Sequence, residues 1–415
     1  MELKIVNKKS IKIALLLFPF FTYALGLKWQ VAGMVVNAMR VISMLLVSIW
    51  FVTHRSGLSR FLKIKIVDLI FLLFLIIAIS SVLNGKSISS AVQLAMYAIM
   101  PFAIFNMFIN TRNGLRHILE GTVLIFTIIN IANLIFMIIF RDGIYQTYTA
   151  NTVTRYFLFG GKNQMVAPII TGTFFVIDYS FYRYNKLSKK CIMLCLINLL
   201  ELVWGGSGTG LLMFGLIVVA VALKDRLKNK FKLKYGLGAV FAIAVGLVVL
   251  RVQNYFSFLI EAIMHKSLTL SDRTFIWDAA LLLVKSKLFI GYGVGKSLSG
   301  EVFIDLGYMS ETIFAHDIFL DYMVMGGIFA LVVFILILFE TQKEYKEMIY
   351  ISNYWKTFIW IGVLIYMCAS IVEIYTGNYC LFLMIAYITF MHKVAVREKI
   401  ESKDSEEGKK SQCTE

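Results

Sequence analysis

The segment from Arg251 to His316 carries most of the side chains capable of chemistry in an otherwise apolar chain. Arg273 follows a Ser-Asp pair, either member of which is a suitable N-cap for a helix beginning there. An arginine at an exposed helix N-terminus favours an anion. His316 ends the segment, and the neighbouring carboxylates of Asp317 and Asp321 can keep its imidazole basic, which suits a proton acceptor. Asp317 is also a candidate substrate-binding residue. The alternative is that Arg273 is an ordinary solvated residue and His316 an interfacial one.

A second polar segment, 141–164, places cations among aromatic rings. Arg155 and Lys162 lie near three tyrosines, and a Gly-Gly turn leads to Asn163 at the start of an apolar run. Arginine binds phosphate oxygens and stacks on aromatic faces, so the combination suits a phosphorylated, sugar-bearing lipid. The alternative is a membrane-interface belt of tyrosine and arginine.

The elements that must position these residues are membrane helices. Apolar residues make up 59% of the chain and charged residues 16%, and the mean hydropathy of +0.78 is that of a membrane protein. Apolar runs long enough to cross the bilayer predict an all-α polytopic fold with about twelve transmembrane helices. These runs are 11–27, 33–53, 67–83, 88–109, 118–140, 165–182, 191–204, 208–223, 235–251, 318–339, 357–372 and 379–391.

The distribution of the 41 lysines and arginines predicts the orientation of these spans. Most of them lie in one alternate set of loops and tails, so both termini are expected in the cytoplasm. The long loop 251–317, with short interfacial helices, then faces outward. We predict one transmembrane domain at 1–392, a disordered cytoplasmic tail at 393–415, and a multi-pass protein of the cell membrane. The net charge of +16 is accounted for by this topology, and nucleic-acid binding is not expected.

A few further residues limit the kinds of chemistry that the sequence allows. Arg40 and Glu201 lie within predicted spans, and Glu373 lies at the outward end of another. Ionisable groups at such depth are costly and usually paired, so Arg40 is a candidate partner for either acid. The five cysteines form no spaced pair in an outward loop, which argues against a disulfide framework or a zinc site. The outward carboxylates are scattered, and no metal or cofactor is expected.

Five short motifs occur in an order that resembles the O-antigen ligase and polymerase superfamily. Arg155 precedes Gly-Gly-Lys-Asn at 160–163, and the next four motifs are Ser-Gly-Thr-Gly at 207–210, SDRTFIWD at 271–278, LFIGYGVG at 288–295 and AHDIFLDYMVMGG at 315–327. Each motif is weak by itself. The resemblance covers roughly 150–330 by motif and the whole chain by the number of spans.

The resemblance implies a metal-independent membrane glycosyltransferase of the GT-C-like type. Its substrates would be sugars linked to undecaprenyl diphosphate at the outer leaflet, with inversion of the anomeric centre. Arg273 matches the arginine that holds the lipid diphosphate in the family, and His316 matches its base. Arg155 and Asn163 match polar residues of the earlier loop. Many members have Ser-Arg-Gly where this chain has Ser-Gly-Thr at 207–209, so Arg155, Arg251 or Arg40 must supply a second arginine, and Arg155 is favoured.

Two acceptors are compatible with this resemblance. A Wzy-type polymerase of capsule, exopolysaccharide or O-antigen transfers the chain to the next lipid-linked repeat unit, whereas a ligase transfers the finished chain to another acceptor. Abundant lysine, isoleucine, asparagine and phenylalanine indicate an AT-rich genome, which favours an organism without lipid A and hence the polymerase. A flippase is a third possibility. The expected partners are membrane lipid, a chain-length regulator and the flippase of the same pathway.

Overall fold

The computed structural model describes residues 7–21, 30–149, 152–158, 160–223, 235–256, 273–295, 315–349, 356–373 and 379–412. Within these residues the chain is mainly helical. A π-helical turn, Val245–Val249, follows α10, and a 3-10 turn spans Val252–Phe256. The helices are α1 (Lys8–Phe21), α2 (Gln30–Thr53), α3 (Arg55–Phe61), α4 (Lys65–Leu83), α5 (Ser89–Ile109), α6 (Gly114–Ile139), α7 (Val166–Tyr184), α8 (Lys189–Gly205), α9 (Gly208–Ala222), α10 (Gly236–Ala244), α11 (Arg273–Ser286), α12 (Ile318–Ile349), α13 (Lys356–Ala369) and α14 (Tyr379–Gln412).

Every predicted span overlaps one of these helices, and the protein is a multi-pass membrane protein. In the part of the chain that the structure describes, six helices are long and apolar enough to cross a bilayer: the segments Gly33–Thr53, Lys65–Leu83, Ser89–Ile109, Gly114–Ile139, Ile318–Met348 and Tyr379–Arg397. Three shorter apolar helices lie at Gly208–Ala222, Gly236–Val249 and Phe358–Ala369. The count of twelve and the orientation stay predictions.

The prediction of a purely α-helical chain is wrong in the segment 141–164. Three antiparallel strands lie there, β1 (Tyr145–Thr149), β2 (Thr152–Phe157) and β3 (Gly160–Gly161), in the order β1-β2-β3. Tyr145 is opposite Tyr156, and their rings stack with centroids 4.5 Å apart. Threonine and tyrosine dominate β1, and β2 adds valine and phenylalanine; these residues favour a pleated surface. The segment is therefore a hairpin rather than an irregular loop.

Some predictions for the long loop and the tail can be compared with the structure, and others concern residues that it does not describe. The first interfacial helix, near residues 256–264, and the Ser-Asp cap before Arg273 lie outside the described residues. The second helix is α11, which begins at Arg273 and buries Ile276, Trp277 and Val284. Helix α14 continues to Gln412, into the segment predicted as a disordered tail.

Polar side chains inside the bundle pair between neighbouring helices. On α6 and α8, Asn130 donates to Asn198 at 2.9 Å, and one turn away Asn133 donates to Glu201 at 2.5 Å. Buried polar groups without such partners are costly, so these bonds tie the two helices together. Arg40 instead donates to the carbonyl oxygen of Pro19 at 2.8 Å and to the side chain of Asn37 at 2.7 Å.

The predicted pairing of Arg40 with Glu201 or Glu373 is not among the ion pairs of the described residues. The bond to Pro19 joins α2 to α1, and the Arg40 guanidinium also lies over the ring of Tyr97, 5.2 Å from its centroid. Arg40 therefore contributes to helix packing.

The glycine-rich segment 291–295, called the glycine clasp below, forms hydrogen bonds through its backbone both to α4 and to a break in α12. Helix α12 is interrupted at Gly326 and Gly327, both with non-helical backbone angles. The carbonyl oxygens of Val324 and Met325 accept bonds of 2.7 and 2.9 Å from the amides of residues 292 and 293. On the other side, Ser81 Oγ accepts from the amide of Val294 at 3.1 Å. The motif thus provides hydrogen-bond partners for backbone carbonyl groups at the helix break, which would otherwise be unpaired in an apolar environment.

Replacing Gly293 by alanine is expected to destabilise the protein strongly. Gly293 has φ +74°, and a Cβ there would lie 2.5 Å from the backbone Cα of Ser81 on α4. Gly295 is a matched control because it has φ +71° but open space around its Cβ position. We expect Gly293→Ala to cost about 1–3 kcal/mol more than Gly295→Ala. Thermal unfolding in detergent measures the difference, and equal unfolding temperatures would contradict the close packing.

Candidate active site

Three chain segments far apart in sequence meet at the predicted outward end of the bundle. They are the start of α11 at Arg273, the start of α12 after His316, and the turn 370–373 after α13. The amide of Ile318 donates to the carbonyl oxygen of Ser370 at 3.0 Å, which joins the last two segments directly. Each segment belongs to a loop that the charge distribution predicts to be outside.

Glu373 lies at the centre of this junction. One carboxylate oxygen, Oε2, pairs with Nη2 of Arg273, and the other, Oε1, lies 3.5 Å from Nδ1 of His316. The Glu373 side chain is only 3% exposed, whereas those of Arg273 and His316 are 14% and 24% exposed. A carboxylate taken out of water is costly unless it is paired. The two residues predicted to work together are therefore joined by one buried acid, while the arginine and imidazole retain an open side.

The backbone around His316 is held in an unusual conformation by two aspartates. His316 has φ +52°, a left-handed value that is uncommon for residues other than glycine. Asp317 Oδ1 accepts from the amide of Leu320 at 2.8 Å and caps α12, while Asp321 Oδ1 accepts from the amide of Ala315 at 2.7 Å. These two bonds fix the chain on either side of His316. The conformation is of the kind that tertiary contacts must enforce.

Asp317 was predicted to bind substrate, and the structure places it as a helix cap. Its side chain is buried, and burial raises the pKa of this carboxyl to about 7. Oδ2 is buried and makes no hydrogen bond. The described ion pairs of His316 include Glu373 but not Asp317, so the nearby acid that can influence the imidazole directly is Glu373.

Arg251 lies beside the first turn of α11. Its Nη2 donates to the carbonyl oxygen of Thr274 at 3.1 Å and pairs with Asp278, and its guanidinium lies over the Trp277 ring, 5.3 Å from the centroid. These contacts account for the tryptophan and aspartate that follow Arg273 in the motif. Nη1 of Arg251 is buried and has no hydrogen-bond partner among the described residues. Arg251 therefore places a second cation beside Thr274, the residue that follows Arg273.

The predicted site residues of the hairpin are not joined to this cluster by any described ion pair or hydrogen bond. Arg155 pairs with Asp142 at 3.1 Å, and both side chains are exposed, at 54% and 75%. Lys162 is exposed and Asn163 half-buried in the turn before α7. Their part in substrate binding stays a prediction. The structure offers more direct support for Arg251 than for Arg155 as the second arginine.

The Ser-Gly-Thr-Gly motif begins a helix. Ser207 caps α9, with its hydroxyl accepting from the amide of Gly210 at 3.2 Å. A Cβ added at Gly208, where the family resemblance would lead us to expect arginine, would meet no atom within 4 Å. The serine is thus explained by capping, and the position next to it has room for a larger residue.

One family of known proteins matches part of the chain. Residues 193–335 match the family model Wzy_C, described as O-Antigen ligase. The matched segment, which is less than half of the chain, is similar to the O-antigen ligase family. It confirms the resemblance predicted from the motifs and contains Arg251, Arg273, His316 and the glycine clasp. The family covers O-antigen ligases and related polymerases. Neither a curated protein nor a solved structure matches the chain.

Sequence reasoning did not place Glu373 in the site. It lies beyond the end of the O-antigen ligase family segment, 100 residues from Arg273. The one available signal was an acid in an apolar outward turn, IVEIY at 371–375, which the sequence analysis connected with Arg40. Only the packing of α13 against the start of α12 shows its partners.

Proposed function

We propose that this protein is a glycosyltransferase of the outer leaflet that polymerises lipid-linked repeat units. The donor would be a glycan chain on undecaprenyl diphosphate, and the acceptor the next lipid-linked repeat unit. The observation that supports this most is the joint contact of Arg273 and His316 with the buried carboxylate of Glu373. A cation and a potential base thus lie at one site, within or beside the O-antigen ligase family segment.

In this proposal Arg273 stabilises the departing diphosphate. Breaking the bond between the anomeric carbon and the diphosphate oxygen leaves negative charge on the phosphate, which a preorganised cation stabilises. Arg251 supplies the second cation, since its guanidinium reaches the carbonyl of Thr274 and its Nη1 is an unused buried donor. Both arginines are already held by acids, so little reorganisation is needed when the substrate binds.

His316 accepts the proton of the attacking hydroxyl group. As the acceptor oxygen forms its bond to the anomeric carbon, the carbon–diphosphate bond breaks on the opposite face, and the hydroxyl proton passes to the imidazole. The diphosphate leaves with the electron pair of the broken bond. A single in-line displacement of this kind inverts the anomeric centre. The proton on the imidazolium can then pass to water or to the released diphosphate.

The proposed transfer requires no metal ion. The carboxylates nearest to His316 already have other partners, because Glu373 pairs with Arg273 and the two aspartates accept backbone amide protons. Among the described residues, no group of three or more histidines, cysteines or acids is arranged to hold a metal. The charge that a divalent ion provides in other glycosyltransferases is assigned here to arginine.

A ligase is the second candidate, because the matching family model carries that description. The two functions differ only in the acceptor, and the amino-acid composition is what favours the polymerase. Deleting the gene distinguishes them. Outward-facing single repeat units on the lipid carrier support the polymerase, finished polymer on the carrier supports the ligase, and repeat units retained in the inner leaflet support a flippase.

Reconstitution tests the reaction directly. The purified protein, placed in lipid nanodiscs with undecaprenyl-diphosphate-linked repeat units, is expected to form products of two or more units. Addition of EDTA is expected to leave the rate unchanged, because arginine side chains supply the positive charge. Products are separated by gel electrophoresis and identified by mass spectrometry. A rate that EDTA abolishes and magnesium restores would contradict the metal-free mechanism, and absence of longer products would contradict the polymerase.

A further inference from the structure

We propose that Glu373 is a positioning residue of the transfer site, which orients His316, stabilises its protonated form and holds Arg273 in place. This inference rests on the proposed function and adds to it a residue that lies outside the O-antigen ligase family segment.

The burial of Glu373 requires that both its oxygen atoms have polar partners. At 3% exposure the carboxylate has lost nearly all contact with water. Oε2 is used by Arg273, which leaves Oε1 directed at His316 Nδ1, 3.5 Å away. This separation is within ion-pairing range and longer than an ordinary hydrogen bond. Catalytic contacts are often long in unliganded structures and tighten when the substrate binds.

The contact determines which nitrogen of His316 can accept a proton. A carboxylate next to Nδ1 favours the tautomer with hydrogen on that atom, and the lone pair is then on Nε2. Nε2 is the nitrogen on the side of the ring away from Glu373, so it is the one available to the acceptor hydroxyl. When the imidazole takes up the proton, the carboxylate stabilises the resulting positive charge. An acid that orients a catalytic histidine in this way has a well-known counterpart in hydrolases.

The other charged groups around His316 act in different ways. Arg273, on α11, disfavours a second positive charge nearby, and Glu373 counteracts this because it lies between the two. Asp317 and Asp321, on the element of His316 itself, are directed to backbone amides. Among these groups, Glu373 is the carboxylate at ion-pairing distance from the ring. Its removal therefore makes protonation of the imidazole harder in two ways, by loss of the negative charge and by exposure to the positive charge of Arg273.

The test compares Glu373→Gln with wild-type protein in the nanodisc assay across pH. We expect kcat/KM to fall about 10²-fold, as when a catalytic group is displaced by a small distance. We also expect the acid limb of the pH profile to move to lower pH, because the neutral imidazole persists under more acidic conditions. Glu373→Asp keeps the charge but shortens the side chain. Its acid limb should stay nearer to that of the wild type while kcat falls.

Glu201→Gln is the matched control, because Glu201 is equally buried but bonds to Asn133 rather than to a cation. It can lower the unfolding temperature but should leave the acid limb in place. If Glu373→Gln lowers the rate equally at every pH, or if Glu373→Asp matches the wild type throughout, the positioning role is wrong. Should Glu373→Gln fail to fold, Glu373→Asp decides by the same two measurements.

The outcome separates this inference from the proposed function. Failure of the wild-type protein to elongate the substrate would overturn the proposed function. Elongation by the wild type, with loss of activity in variants at Arg273 and His316 but an unaltered Glu373→Gln profile, would overturn the role of Glu373 alone.

Discussion

A variant in which Arg273 is replaced by glutamine is expected to lose about 10²- to 10³-fold in kcat, the usual cost of removing one preorganised group that stabilises transition-state charge. The loss should appear in kcat because the diphosphate gains its extra negative charge only as the bond to the sugar breaks. The measurement is the initial rate of chain elongation in nanodiscs at saturating lipid-linked repeat unit.

Loss of folding must be separated from loss of catalysis in this experiment. Glutamine at 273 leaves the buried Glu373 without its ion pair, and breaking a buried pair costs about 3–5 kcal/mol. The double variant Arg273→Gln/Glu373→Gln removes the remaining charge, so its stability should recover while its rate stays low. Arg116→Gln is the control, because Arg116 also pairs with a glutamate, Glu120, at 2.8 Å, but lies at the predicted cytoplasmic end. A double variant with wild-type kcat would exclude Arg273 from the reaction.

Comparison of Arg251→Gln with Arg155→Gln identifies the second arginine. Arg251 contacts the first turn of α11, whereas Arg155 forms an exposed ion pair in the hairpin. We therefore expect the larger loss of activity from Arg251→Gln. The opposite order would favour Arg155, the residue preferred on the basis of sequence.

The positions of the helices could be predicted because each depends on a local property, the length of an apolar run. Arg273 and His316 could also be selected as candidates from the sequence, because each occurs in a short motif at the edge of such a run. The hairpin was not predicted because the residues of this segment were interpreted as a polar loop or a membrane-interface belt, and their threonine, tyrosine and valine content was not read as a strand pattern. The membrane context predicts this segment only as an outward loop and gives no indication of its local structure.

Glu373 could not be assigned because its partners depend on helix packing. No local pattern connects residue 373 with residue 273. The ion pair between these residues and the hydrogen bond from Ile318 to Ser370 form only when the helices pack together. The same limit applies to Asp317, for which sequence alone suggested an influence on His316. A residue immediately before a helix is a potential cap, and the structure shows that this role uses the Asp317 side chain.

Replacing His316 by alanine is expected to lower kcat/KM about 10²- to 10⁴-fold, the range over which a positioned general base contributes. The Glu373–Arg273 pair stays intact in this variant, so no buried charge is left alone. If the imidazole is the proton acceptor, we expect the wild-type rate to fall at acid pH, and the residual rate of this variant should not show that fall, because no imidazole remains to be protonated. The measurement is kcat/KM between about pH 5 and pH 8.

His316 has a left-handed backbone, which alanine adopts less readily than glycine or asparagine. His316→Gly and His316→Asn therefore keep the loop conformation and should be as inactive as His316→Ala if the imidazole is the base. His117→Ala, which removes a buried histidine at the predicted cytoplasmic end of α6, should retain the rate and its acid limb. Recovery of activity in His316→Asn would show that the loop conformation matters and the imidazole does not. Inactivity of all three substitutions, together with loss of the acid limb, would support His316 as the proton acceptor.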